Sequence, residues 1–173
     1  MTPEWSRPER LDAIGAEERT VEITAEPAER EALARRFGLV SVDRLAARLA
    51  VRREAAGIMV TGRVTGEVVQ ACSATGDPLP AVVDEPVTLR FVETLDGGEN
   101  EVELASDALD VVEIEGGAID LGEAAAETMA LALDPFPRSP RAAEALKAAG
   151  VIAEEDAGPF GALAGLKAKL EGR

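Results

Sequence analysis

Ile58-Met59-Val60-Thr61-Gly62-Arg63-Val64-Thr65-Gly66-Glu67-Val68-Val69-Gln70-Ala71-Cys72 is the stretch whose reading decides the fold. By parity, Ile58, Val60, Val64, Val68 and Cys72 share one side with Gly62, Gly66 and Gln70. Thr61, Arg63, Thr65 and Glu67 take the other, with Met59 and Val69 as apolar exceptions. Side chains of a strand alternate between faces, so the pattern predicts one long, half-buried β-strand. A helix would scatter the valines around its circumference, and the density of β-branched residues argues against it. The two glycines on the apolar side predict a bend, a bulge or a second backbone lying close.

A turn follows at Thr75-Gly76-Asp77-Pro78, and Pro86 then opens a second strand in which Val87, Leu89 and Phe91 share a face. Proline donates nothing to a ladder, so Pro86 belongs at a strand start or on an edge. Ile58–Cys72 and Val87–Val92 are expected to be neighbours in an antiparallel sheet, with Pro80–Glu85 either loop or short strand. Upstream, Val40–Arg53 admits two readings: Leu45, Ala46 and Leu49 suit a helix, while Leu45, Ala47, Leu49 and Val51 against Arg44, Arg48 and Arg52 give period two. With a turn at Ala56-Gly57, a hairpin of Ala47–Arg53 with Met59–Thr65 is the economical reading. Arg44, Arg48, Arg52 and Arg53 make the one basic cluster, either a solvated face or a partner-binding patch.

Toward the N-terminus, Trp5, Leu11 and Ile14 could dock a strand or irregular segment, and Arg19–Ala25 alternates as a strand. Pro27 opens a helix to Phe37: proline suits the first helical position, Glu29 and Glu31 lie near the positive end, Arg35 and Arg36 near the negative end, and Gly38 stops it. Past Val92, Asp96–Asn100 reads as a loop, Glu101–Asp110 as acidic with Val102 and Leu104 alternating, and Val111–Ile114 as a short strand before a Gly116-Gly117 turn. Asp120-Leu121-Gly122-Glu123 has the form of a capping box, the Asp bonding the third helical N–H and the Glu reaching back. It opens a helix over Leu121–Leu133 whose apolar face includes Leu121, Ala125, Met129, Leu131 and Leu133. Asp134-Pro135-Phe136-Pro137 ends that helix. Arg141–Ala149 is alanine-rich and helix-compatible with little to bury, and Phe160, Leu163, Leu166 and Leu170 recur at helical spacing.

The expected architecture is α+β: a mostly antiparallel sheet, either open or barrel-like, packed with two helices, plus a short C-terminal helix. Residues 1–138 form a single domain, 139–158 a flexible acidic and Ala-rich linker, and 159–173 the amphipathic C-terminal helix. With 173 residues, 46% hydrophobic content and 3% aromatics, the core must be Leu, Val and Ala packing. The net charge of −15 opposes broad contact with a polyanion and favours basic partners, or simply solubility. Having no His and a single Cys, the chain cannot assemble a Ser-His-Asp or Cys-His nucleophile, an ordinary Cys/His zinc site or an internal disulfide. Met1–Leu11 lacks an apolar signal region and no run approaches a membrane span, so a cytoplasmic location is expected.

Three stretches together resemble the YceD-like family, the large ribosomal RNA subunit accumulation proteins. Gln70, Cys72, Thr75 and Pro78 in the run Gln70–Pro78 match the first family block. Asp120, Leu121, Gly122 and Glu123, with Glu127 and Leu131–Arg138, resemble the second, and Pro159-Phe160 with Leu163, Leu166 and Lys167 is similar to the tail of one bacterial branch. The resemblance implies a bacterial cytoplasmic factor needed for large-subunit rRNA to accumulate, with no established enzymatic activity. Many relatives carry paired cysteines in both blocks, a pattern that suggests metal. Here Cys72 matches the first, Thr75 stands in place of the second, and Arg138-Ser139 offers none, so a metal role does not transfer and no cofactor is expected.

The same residues have a physical reading. Cys72 on a valine face reads as a small buried apolar side chain. Asp134, Pro135, Phe136, Pro137 and Arg138 form a stiff segment, either a helix terminator or a recognition element, since Phe and Arg suit interface anchors. These five residues, with Arg48 and Arg52, are the candidate partner-binding set. The leading function is a non-enzymatic accessory factor in large-subunit biogenesis that binds ribosomal or ribosome-assembly proteins; RNA contact is open, and no membrane or DNA contact is expected. The alternatives are an acidic adaptor unrelated to ribosomes and a carboxylate/Mg²⁺ nuclease, for which the 33 acidic residues offer candidates but no compact motif.

Overall fold

The computed structural model describes residues 3–93, 110–114 and 116–151. The expected loop at 96–100, most of the acidic 101–110 stretch and the C-terminal helix at 159–173 lie outside the described residues. The chain divides into two compact units, one of Met1–Gln70 with Pro80–Pro135, the other of Ala71–Leu79 with Phe136–Arg173.

The larger unit is built on β4, Gly57–Ala71, and its hairpin partner β3, Ser41–Glu54. They pair antiparallel as the expected hairpin, with Val51 opposite Val60 and Arg53 opposite Ile58. Ile58, Val60, Val64 and Val68 are buried almost completely, and Met59 is buried on the opposite parity, as an apolar exception should be. Gly62 explains itself by proximity: a Cβ there would stand 2.1 Å from the Arg48 carbonyl oxygen across the hairpin. Gly66 lies opposite Leu45, beside a register shift between Val42 and Arg44, so the predicted bulge falls on β3, the partner strand.

The sheet runs β2-β3-β4-β5-β6, with β2 at Arg19–Thr24, β5 at Pro78–Glu93 and β6 at Asp110–Ile114. β2 and β6 stand at opposite ends and do not pair, so the sheet is open and mixed, and the barrel-like alternative is not supported. Closure would need the two edges to meet in a consistent stagger, and strand alternation carries no information on that. β6 joins β5 in parallel, Leu89 opposite Asp110. Pro80–Glu85 proves to be strand, part of a continuous β5. Pro86 is inside β5 but precedes the stretch paired with β6, so among the described residues its missing donor falls where the strand has one neighbour.

Helix α1, Pro27–Phe37, has its expected bounds: Glu29 reaches back to the Glu26 N–H at 2.7 Å, and Gly38 closes it in the left-handed region at φ +64°. A second small sheet joins β1, Pro8–Arg10, to β7, Ala118–Asp120. Helix α2, Leu121–Ala132, follows at once. Asp120 caps it, its Oδ1 accepting from the N–H groups of Gly122 at 3.0 Å and Glu123 at 3.1 Å. Glu123 does not reach back as the capping-box reading required; its carboxylate instead takes two bonds from Arg36 of α1, at 2.6 and 2.8 Å. Leu131 also departs from expectation, being 86% exposed. The buried arc of α2 runs through Leu121, Ala124, Ala125, Ala126 and Met129. At roughly 100° per residue, Leu131 falls just past the edge of that arc.

Trp5 is wholly buried in the main core with Leu33, Leu45, Leu49, Leu121 and Met129. Residues 4–10 also lace the helices from outside: the Arg7 guanidinium grips Glu29 at 2.7 and 2.9 Å, and Arg36 joins Glu4 to Glu123. These guanidinium bonds hold the Glu29 carboxyl below its ordinary range; Glu4 is lowered first by a backbone hydrogen bond and then by Arg36. Among the described residues no helix is long and apolar enough to cross a membrane.

Candidate functional site

The smaller unit holds the Cys72 turn and the segment after Pro135. Its first turn closes twice on itself, the Gly76 N–H donating to the Cys72 carbonyl and the Cys72 N–H to the Asp77 carbonyl, both at 2.8 Å. Gly76 has φ +73°, a conformation L side chains rarely adopt, which is why glycine stands there. The second turn starts at Ser139, whose carbonyl accepts from the Ala142 N–H at 2.9 Å, and leads into a short helix, α3, Ala142–Ala148. That helix occupies the alanine-rich stretch read as helix-compatible, and Ala142 is the residue it buries.

The two turns are fastened by polar groups. Ser73 donates to the Pro137 carbonyl through both its N–H, at 2.8 Å, and its hydroxyl, at 3.1 Å. The Ser139 N–H donates to the Cys72 sulfur at 3.2 Å. The Thr75 hydroxyl donates to Asp77 Oδ2 at 2.7 Å and lies 3.3 Å from the Ser139 hydroxyl. Arg141 closes the cluster with a short bond to Asp77 Oδ1. Ser139 and Cys72 are both buried.

Donors surround the sulfur, so the buried Cys72 is not the plain apolar filler its valine-rich strand suggested. Hydrogen bonds from the Thr75 hydroxyl and then the Ser139 N–H pull the thiol down to about 6, against the opposing effect of burial. The Asp77 carboxyl is likewise held below its ordinary range, first by Thr75, with Ser139 and Arg141 adding to it. Thr75 has one hydroxyl proton, so it serves either the sulfur or the carboxylate at a given moment. The two anions therefore compete for that donor.

Metal chemistry does not fit this arrangement. Cys72 is the single sulfur, Thr75 and Ser139 spend their groups on hydrogen bonds, and Arg141 places a cation at Asp77. Among the described residues no group of three His, Cys, Asp or Glu side chains could hold a metal ion. Nor does the buried sulfur have a histidine to activate it toward a substrate.

The remaining sequence candidates separate. Phe136 is 71% exposed and Arg138 is exposed, on either side of the pinned Pro137 carbonyl. In the larger unit, the Gln70 side-chain amide donates to the Asp134 carbonyl at 2.8 Å, just before Pro135. Asp120, Leu121, Gly122 and Glu123 serve the start of α2. Arg48 pairs with Glu22 at 3.3 Å, and Arg52 with Glu18 and Glu54 at 3.0 and 2.7 Å, on the outer face of the hairpin. In the sequence Asp77 stands as a turn residue, and nothing there ties Ser139 or Arg141 to the Cys72 turn.

Among protein families, residues 60–167 match the one described as large ribosomal RNA subunit accumulation protein YceD. No curated protein and no solved structure matches the chain.

Proposed function

The chain belongs to the YceD family of large ribosomal RNA subunit accumulation proteins, and from that premise we propose that it supports accumulation of large-subunit rRNA by binding a partner rather than by catalysis. The observation that carries this reading is the family match itself, which takes in the Cys72 turn, its fastening at Pro137 and Ser139, and the whole of α2. Binding in place of chemistry is supported by the cluster's composition: a buried sulfur, hydroxyls already committed, and no histidine anywhere in the chain. The partners are ribosomal or ribosome-assembly proteins, which are basic where this chain carries −15. Phe136 and Arg138 are the contact residues, since an exposed aromatic and an exposed guanidinium on a pinned, proline-fixed segment are pre-organised for recognition.

The test is deletion of the gene with measurement of large-subunit rRNA, together with sedimentation of the protein on gradients. Reduced large-subunit rRNA and co-migration with precursor particles are expected. Normal rRNA, with the protein absent from every ribosomal fraction, would overturn the proposal. Incubation of the purified protein with Mg²⁺ and precursor rRNA is expected to leave the RNA intact, and specific cleavage would replace binding by catalysis.

A further inference from the structure

Along the larger unit, between strands β5 and β6 and the outer face of α2, runs an open groove of about 510 Å³. It continues past Leu89 and Thr128 into a further hollow of about 340 Å³. The floor is apolar, formed by Phe91, Ile119 and Ala124. The rim is acidic, and no Lys or Arg lines either hollow among the described residues. Two of its carboxylates are already engaged, Asp120 in capping α2 and Glu123 with Arg36. Asp110, Glu113 and Glu127 are exposed and have no cationic partner among the described residues. Leu131, one helical turn beyond Glu127, stands at the lip and is the most exposed large apolar side chain described.

We propose that this groove is the docking site for a Lys/Arg-rich segment of another protein, which seats a large apolar side chain between Phe91 and Leu131 and sets its cations against Asp110, Glu113 and Glu127. Three uncompensated carboxylates around an apolar floor disfavour a nucleic-acid backbone and favour cations on an amphipathic chain. The trough is open along its length, which suits a polypeptide segment more than an enclosed small molecule. Among the described residues β6 ends the sheet, and an edge strand is a place where an extended segment can add. The proposal rests on the reading of the protein as a binding factor and adds the contact surface and the chemistry of the partner.

The experiment places p-benzoylphenylalanine at Leu131 in the full-length protein, irradiates growing cells and identifies the cross-linked segment by mass spectrometry. A Lys/Arg-rich protein segment carrying a large apolar residue is expected. The pair Glu113→Lys and Glu127→Lys should lower the yield by about fivefold or more, since rim charges govern encounter. The pair Glu17→Lys and Asp43→Lys makes the same charge change on exposed sites away from the groove and should leave the yield within about twofold. Circular dichroism of each variant confirms folding. Cross-links to RNA, to a second copy or within the chain overturn the groove, as does equal loss in both charge-reversed pairs. A basic segment from a protein outside ribosome assembly keeps the groove and removes the ribosomal reading. Loss of large-subunit rRNA on deletion, with no groove cross-link, does the reverse.

Discussion

Gly122→Ala reverses the sign that helix propensity alone would give. Gly122 sits in the first turn of α2, and in an open helix alanine there would stabilise by about 1 kcal/mol. In this fold a Cβ would stand 2.2 Å from the Trp5 carbonyl oxygen, 3.0 Å from its carbon and 3.1 Å from the Arg7 nitrogen. All three are backbone atoms, so no side chain can swing aside. The Trp5–Arg7 segment must retreat by about 1 Å to restore ordinary contact. That retreat loosens the Arg7 N–H bond to Asp120 at 2.8 Å and the Leu121 N–H bond to the Arg7 carbonyl at 3.1 Å. Overpacking costs about 1–3 kcal/mol, and each weakened bond about 1 kcal/mol. Against the propensity gain, a net destabilisation of about 2–4 kcal/mol is expected. Urea unfolding followed by circular dichroism measures it, and Trp5, the single tryptophan, reports on the segment that moves. A Gly122→Ala protein as stable as its parent, with unchanged Trp5 emission, would refute the close approach on which the reasoning stands.

Leu131→Ser should change stability by less than about 0.5 kcal/mol, whereas Met129→Ala, two residues earlier and wholly buried, should cost about 2–5 kcal/mol; urea midpoints of the two variants decide it. Because Cys72 titrates near 6 in the folded protein and in the ordinary thiol range when unfolded, its contribution is full above the unfolded value and is lost as pH falls through about 6. The melting temperature of Cys72→Ser should therefore fall further below the parent as pH rises from 6 to 9, and a constant gap would contradict this. Thr75→Val should move the thiol back toward its ordinary range, read from thiolate absorbance in the ultraviolet. A chelator should leave the melting temperature of the full chain within about 1 °C, because hydrogen bonds, not a metal, fasten the two turns; a larger fall would restore the metal reading.

Local patterns were legible wherever one short-range rule governs them. The alternation of Ile58–Val68, the proline and glycine bounding α1, and the Asp120 cap each state their structure within a few residues. Long-range pairing was not legible in the same way. Glu123 could satisfy a capping box or meet Arg36, and only the position of α1 decides between them. Leu131 belonged by periodicity to the apolar face, yet the arc that is buried depends on what lies opposite. The openness of the sheet likewise depends on where β2 and β6 end. At the candidate site, Cys72 and Thr75 were visible through the family resemblance. Ser139 and Arg141 were hidden because an ordinary serine and arginine carry no periodic signal until the chain returns to the first turn.

The lacing of residues 4–10 also sets an order of assembly. Arg7 reaches Asp120 across 113 positions of sequence, and among the described residues β1 pairs with β7 alone. During synthesis residues 4–10 must wait, with Trp5 uncovered, until β7 and the first turn of α2 emerge. Completion of the larger unit is thus a late, non-local closure of the slow-forming kind. A fusion or truncation that restrains the first ten residues should delay maturation even when most strands are already in place.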